Sequence, residues 1–211
     1  MMTTMTTKML PRYNDKERMN HWVMALCVIA SALSGFAFFH PGLFFLSNLF
    51  GGGTWARILH PFFGLLGIVS FAGMFFRLRG ENVITAADQE WKAHMGDLMR
   101  GNKSAMPPVG KYNYGQKMVF WVMAASAFTL LVTGFTFWSP WFTAYFPIGL
   151  QRVAVLLHAV AAFSLVMLII AHVYAAIWVK GTIRAMTRGT VSEDWAKINH
   201  PLWHQEVTAK K

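Results

Sequence analysis

The apolar residues of this chain gather into four runs that are apolar all round a helix instead of along one stripe, as expected of helices enclosed by lipid or by a core. The runs cover residues 19–39, 58–76, 118–138 and 153–179. Each is close to or beyond the length of about 20 residues that crosses a hydrocarbon core of roughly 30 Å. The last is the longest, with 27 residues and no charge. The pattern predicts an all-α fold, an integral membrane four-helix bundle forming a single membrane domain over residues 1–211. The first run continues uncharged to Ala56 and leads into HPGLFFL, not into a small-residue cleavage site. It therefore reads as a retained span and not as a signal peptide.

The connections follow from their turn residues. His40 and Pro41 open a loop, and Gly51, Gly52 and Gly53 turn it into the second span. Pro61 is tolerated beside His60 because amides of a first helical turn lack intrahelical partners. Residues 78–117 read as an interfacial loop, in which TAADQEWKAHMGDLMRG predicts one short surface helix and Pro107 with Pro108 stop it. SPWFTAYFPIG turns the chain into the fourth span, which ends at Lys180 and Gly181. In the tail, Thr190 and Glu193 form a capping box for a short helix that halts before Pro201. No internal repeat is read from the chain.

Composition agrees with a membrane protein. Charged residues are 13% of the chain and the mean hydropathy is +0.38, whereas soluble domains carry about a quarter charged residues. The net charge of +10 does not imply a nucleic-acid partner, because the basic residues lie outside the apolar runs, where topology and anionic lipid account for them. Cys27 is the single cysteine, which excludes disulfides within the chain, cysteine-held Fe–S clusters and thioether-linked haem. Lysine and arginine number four in the N-terminal arm, seven in the 77–117 connection and six in the tail; the other two loops hold only Arg57 and Arg152. Basic loops stay in the cytoplasm, so both termini and the tail helix are expected there.

The chemistry lies in the histidines. His158 and His172 stand 14 residues apart in the fourth run, which puts both rings on one helix face roughly 21 Å apart along the axis. Ionisable groups inside a bilayer are costly and usually functional. One histidine cannot hold an iron porphyrin from both sides, so partners are needed at matching depths. The topology supplies them: His21 lies at the cytoplasmic level of His172, and His60 at the outer level of His158. Each pair can clamp one b-type haem with no open axial position, which suits electron transfer. His40, beside Pro41 at a helix end, ranks below His60 as the outer ligand. His94, His200 and His204 lie in polar segments and are expected to be solvated. Arg57 and Arg152 are candidate propionate partners for the outer haem and Arg18 for the inner, or else boundary anchors. Gly64, Ala161, Ala162, Gly35, Gly67 and Gly134 suit flat cofactors and ordinary helix packing alike.

The segments RYNDKERMNHW, ARILHPFFG, KYNYGQK, LLHAVAAFSLVMLIIAHVYAAIWVKG and SEDWAKINHPLWHQEV together resemble the gamma subunit, cytochrome b556, of membrane-bound respiratory formate dehydrogenase, over roughly residues 12–206. The resemblance implies a multi-pass protein of the bacterial inner membrane with two haem b groups, one on His21 and His172 and one on His60 and His158. It also implies electron transfer from an Fe–S beta subunit to menaquinone, after a molybdenum or tungsten alpha subunit has oxidised formate in the periplasm. KYNYGQK then matches the quinone site next to the inner haem, with Asn113, Gly115 and Gln116 as its residues. From the residues themselves, Asn and Gln at a span start can hydrogen-bond a quinone carbonyl, while a plain helix cap explains Asn113 equally well.

Other roles remain open to the sequence. A di-haem subunit of a nickel-iron hydrogenase or thiosulfate reductase would use the same spans. A histidine-dependent transporter would place carboxylates, lysines or broken helices near the midplane, and the four runs hold no Asp, Glu, Lys or Arg. A pure membrane anchor has no use for four histidines paired by depth.

Overall fold

The computed structural model of the chain describes residues 8–209. Four of its helices are long and apolar enough to cross a membrane: α1 (Asp15–Phe39), α2 (Gly53–Leu78), α5 (Tyr114–Phe137) and α6 (Ile148–Trp178). Between them lie α3 (Ala86–Ala93) and α4 (Met95–Met99), and after them α7 (Ile183–Arg188), α8 (Glu193–Asn199) and α9 (Pro201–Ala209). β1 (Met9–Pro11) pairs antiparallel with β2 (Thr190–Ser192).

The long helices cover the predicted runs to within one residue at their ends, α5 and α6 stopping one residue short, and all four begin earlier, because polar residues can start a helix that hydropathy alone does not see. At the start of α1 the Asn14 side-chain oxygen accepts the Glu17 N–H at 2.9 Å, and the Glu17 carboxylate accepts the Asn14 N–H at 2.7 Å. This reciprocal box satisfies two amides that have no intrahelical partner. The expected loop after α1 is a 3-10 helix over Pro41–Phe50. His40 caps it, its Nδ1 accepting the Gly42 N–H at 3.1 Å, and Gly51 ends it at φ 88°.

The chain divides into two compact units. Residues 19–76 and 122–173 make the membrane unit. The arm through Arg18, the 77–121 connection and the tail from Tyr174 make the peripheral unit. The membrane unit leaves large apolar side chains such as Leu26, Phe62, Phe128 and Leu156 exposed, as lipid-facing helices require. The core of the peripheral unit is Leu10, Ala185, Val191, Trp195, Ala196 and Trp203. Leu10 and Val191 face each other across the strand pair and are almost wholly buried.

That core corrects several expectations for the tail. Thr190 belongs to β2, and the cap of α8 is Ser192, whose hydroxyl accepts the Trp195 N–H at 3.1 Å. Pro201 opens a further helix, a position where its missing N–H costs nothing. The single surface helix expected within 85–101 is two short ones, α3 and α4, meeting at His94. His200 is not solvated: it is 2% exposed, its Nδ1 donates to the Gly110 carbonyl at 2.8 Å, and its ring lies against Trp195. Burial, helped by the charge of Arg12, lowers its pKa to about 4, so it is neutral at pH 7. His204 bonds the Glu193 carboxylate at 3.1 Å.

Gly189 joins the arm to the tail. It ends α7 at φ 76°, and its carbonyl accepts the Arg12 and Tyr13 N–H groups at 2.8 and 3.1 Å. A Cβ at this position would stand 2.5 Å from the Tyr13 carbonyl oxygen. Gly189→Ala therefore combines the left-handed penalty of about 1–2 kcal/mol with a backbone clash. A clear fall in the melting temperature of the detergent-purified protein is expected, and unchanged melting would contradict this close approach.

Candidate functional site

Within the membrane unit α2 and α6 bring the rings of His60 and His158 together edge-on, with centroids 6.3 Å apart and planes inclined by 61°. Two imidazoles that share one metal through bonds of about 2 Å each have centroids roughly 6 Å apart. The remaining ring nitrogens are already engaged. His60 Nδ1 lies 2.9 Å from Ser34 Oγ, and His158 Nδ1 lies 2.9 Å from Thr133 Oγ1. The Ser34 hydroxyl donates to the Ala30 carbonyl at 2.8 Å and that of Thr133 to the Thr129 carbonyl at 2.6 Å, so each receives the histidine Nδ1–H. Both Nε2 lone pairs are left free for a ligand role. Among the described residues no three His, Cys, Asp or Glu side chains converge as the ligands of a bare metal ion would. A metal shared by this pair must bring its other ligands with it, which a porphyrin does.

Less of the other expected pair is defined. His21 on α1 and His172 on α6 are electrostatic neighbours in the same unit. The Nδ1 of His21 is buried and has no hydrogen-bond partner among the described residues. The Asn20 amide beside it donates to the Ser70 carbonyl of α2 at 2.8 Å, which ties the start of this span to its neighbour.

The small residues separate by task. A Cβ on Gly67 would meet Cys27 Cβ at 3.3 Å and one on Gly73 the Asn20 amide at 3.7 Å, so these glycines let α1 and α2 approach. Gly35 and Gly134 instead face the histidines, their would-be Cβ atoms 3.4 and 3.5 Å from Cε1 of His60 and His158. Arg18 is engaged by Asp15 and by the Thr187 carbonyl. Arg57 and Arg152 are exposed near the N-terminal ends of α2 and α6.

These details expose an internal repeat that the sequence reading missed. The Tyr13 and Tyr112 hydroxyls touch at 3.0 Å and are 99 residues apart. The same offset matches RYNDKERM to KYNYGQKM, HWVMA to FWVMA and SGFAFF to TGFTFW. Geometry follows: Asn113 and Gln116 repeat the reciprocal cap of Asn14 and Glu17, at 3.0 and 2.9 Å. With one residue dropped between the spans, Ala56 and His60 match Ala154 and His158. His60 and His158 are therefore equivalent positions of two copies, whereas His21 has Phe120 as its counterpart.

Residues 12–189 match the prokaryotic cytochrome b561 family, and that stretch holds His21, His60, His158 and His172 together with Ser34 and Thr133. The chain belongs to this family. A cytochrome b implies haem b, and with four membrane helices the chain is a multi-pass protein of the bacterial inner membrane. It is also similar to the nitrate-inducible formate dehydrogenase cytochrome b556(Fdn) subunit of Escherichia coli K12, with 42% identity covering 95% of this chain and 93% of the relative. The cytochrome b556(fdo) subunit of the same strain is 42% identical, covering 93% and 92%. The formate dehydrogenase cytochrome b556 subunit of Haemophilus influenzae is 38% identical, covering 95% and 84%.

The start of α5 belongs to the peripheral unit of this cytochrome. Lys117, in its first turn, is buried and donates to Asp88 at 2.6 Å and to the Val83 carbonyl at 3.0 Å, anchoring the helix to the connection. Burial opposes the Asp88 carboxylate, but Lys117 and Thr85 outweigh it and hold its pKa below the ordinary value. A cavity of about 240 Å³ is lined by Asp88, Lys111, Tyr112 and Lys117 among others, and Asn113, Gly115 and Gln116 do not line it. Gln116 is exposed. The side-chain oxygens of Asn113 and Gln116 are used in the cap, while their NH₂ groups have no partner among the described residues.

Proposed function

We propose that this chain is the di-haem cytochrome b subunit of a respiratory formate dehydrogenase, linking an Fe–S beta subunit and a molybdenum or tungsten alpha subunit to menaquinone. The reading rests first on one observation: two imidazoles 6.3 Å apart, each with Nδ1 held by a hydroxyl and Nε2 free. The three similar proteins, all formate dehydrogenase cytochrome b556 subunits, supply the complex. His60 and His158 hold the outer haem, and His21 and His172 the inner one. When bound, these groups supply one-electron transfer between donor and quinone.

The residues supply the rest. The hydroxyl-bonded imidazoles present fixed lone pairs, and the spans carry no charge that would compete for protons inside the bilayer. His40 serves as a helix cap, which supports His60 over it for the outer position. Arg57 and Arg152 are available to anionic propionates at the outer level or to lipid headgroups. The distribution of lysine and arginine supports a cytoplasmic position for both termini, with residues 1–211 acting as one membrane domain. Asn113, Gly115 and Gln116 serve the quinone with amide donors and an open backbone.

The purified chain should carry two b-type haems, both six-coordinate. A reduced-minus-oxidised spectrum with haem quantification tests this. A folded chain without b-type bands would leave a transporter or anchor, and a single haem per chain would remove one of the two pairs.

A further inference from the structure

On the reading that His60 and His158 share one haem iron, we infer that Ser34 and Thr133 are the positioning residues of that site, fixing the two ligand rings and tuning the iron through them. A hydroxyl has one proton. In both cases it is committed to the carbonyl four residues earlier, at 2.8 Å for Ser34 and 2.6 Å for Thr133. Each oxygen therefore turns a lone pair towards the imidazole and receives Nδ1–H at 2.9 Å. Ser34 is 0% exposed and Thr133 6%, so water does not compete for either bond.

Three consequences follow for each ring. Its rotation is fixed, its tautomer carries the proton on Nδ1, and partial withdrawal of that proton makes Nε2 a stronger donor. A stronger donor favours ferric over ferrous iron, so the bonds lower the reduction potential of the outer haem. The inner pair lacks this feature at His21, whose Nδ1 has no partner among the described residues. A hydroxyl that merely back-bonds inside an apolar helix needs no histidine, and Thr129, bonded to the Ala125 carbonyl at 2.9 Å, is such a case. Ser34 and Thr133 do both, and they do so at equivalent positions of the two copies.

The test is a redox titration of the purified complex carrying Ser34→Ala, Thr133→Val, Thr133→Ser, Ser34→Thr or Thr129→Val. Loss of a hydroxyl behind a ligand should cost about tenfold in preference for the ferric state, which raises the outer potential by about 59 mV for a one-electron couple. Weakened retention of the outer haem in those two variants alone also fits. Thr133→Ser, Ser34→Thr and Thr129→Val should titrate as the wild type. An unchanged outer potential in Ser34→Ala and Thr133→Val with both haems present overturns the inference. So does an equal shift in Thr129→Val, or loss of the inner haem together with the outer in Thr133→Val, because positioning acts on one site. Failure of the ligand assignment is separate: His60→Ala would then keep the outer haem at its native potential.

Discussion

Replacing His60 or His158 with alanine is expected to remove the outer haem and leave the inner one, halving the haem content of the purified chain. The two rings meet within one unit at 6.3 Å, and each has only Nε2 left to offer. Alanine at either position leaves one axial bond and an unfilled volume among apolar side chains, including Phe38 and Phe137, whose rings stand edge-on to His60 and His158. The inner pair draws on His21 and His172, which neither change touches. His40→Ala is the control, because His40 Nδ1 already accepts the Gly42 N–H. Pyridine haemochrome quantification and the optical spectrum read the outcome. Both haems retained in His60→Ala or His158→Ala would reject the pairing, and loss of a haem in His40→Ala alone would transfer the ligand role to His40.

The parts of this molecule that depend on composition over twenty residues were legible, and those that depend on single long-range contacts were not. Uncharged runs revealed the four spans, since a bilayer excludes charge whatever the partner. Their first turns escaped because Asn14 and Asn113 start helices with polar side chains. In the tail, Thr190 and Ser192 are both credible caps by spacing. The choice was made by Val191, whose burial against Leu10 holds Thr190 in a strand. His200 looked solvated because its partner, the Gly110 carbonyl, lies 90 residues away in sequence.

Depth along the spans set His60 and His158 at one level, where the structure has their rings 6.3 Å apart, but Ser34 and Thr133 were not readable, because hydroxyls in an apolar run carry little hydropathy signal. The repeat would have revealed them. SGFAFF and TGFTFW place a hydroxyl and a glycine at the same point of two spans, before two equivalent histidines. Identities between the copies are scattered, whereas the hydrogen-bond pattern repeats closely: the Asn–Glu and Asn–Gln caps differ by no more than a few tenths of an ångström.

The difference between those two caps leads to the second large effect, on quinone reduction. Glu17 shows that a carboxylate can close the cap in this setting, since its oxygen accepts the Asn14 N–H at 2.7 Å. Gln116 does the same with its amide oxygen and keeps an NH₂ group to spare. Gln116→Glu and Asn113→Asp therefore preserve the capping oxygens, favour a helix start with negative charge, and remove only the amide donors. Helix content and both haems should remain native. If these donors hold a quinone carbonyl, losing one bond worth about 1.5 kcal/mol slows quinone reduction roughly tenfold at subsaturating quinone. The alanine variants lose the cap as well, at a further cost of about 1 kcal/mol of stability, so the acidic pair isolates the binding role. The measurement is formate-driven quinone reduction in oriented vesicles, with haem reduction followed in the same sample and proton uptake assigned to one side. Unchanged turnover in both acidic variants, or proton uptake from the side opposite the N-terminal arm in the wild type, would place the quinone elsewhere on the chain.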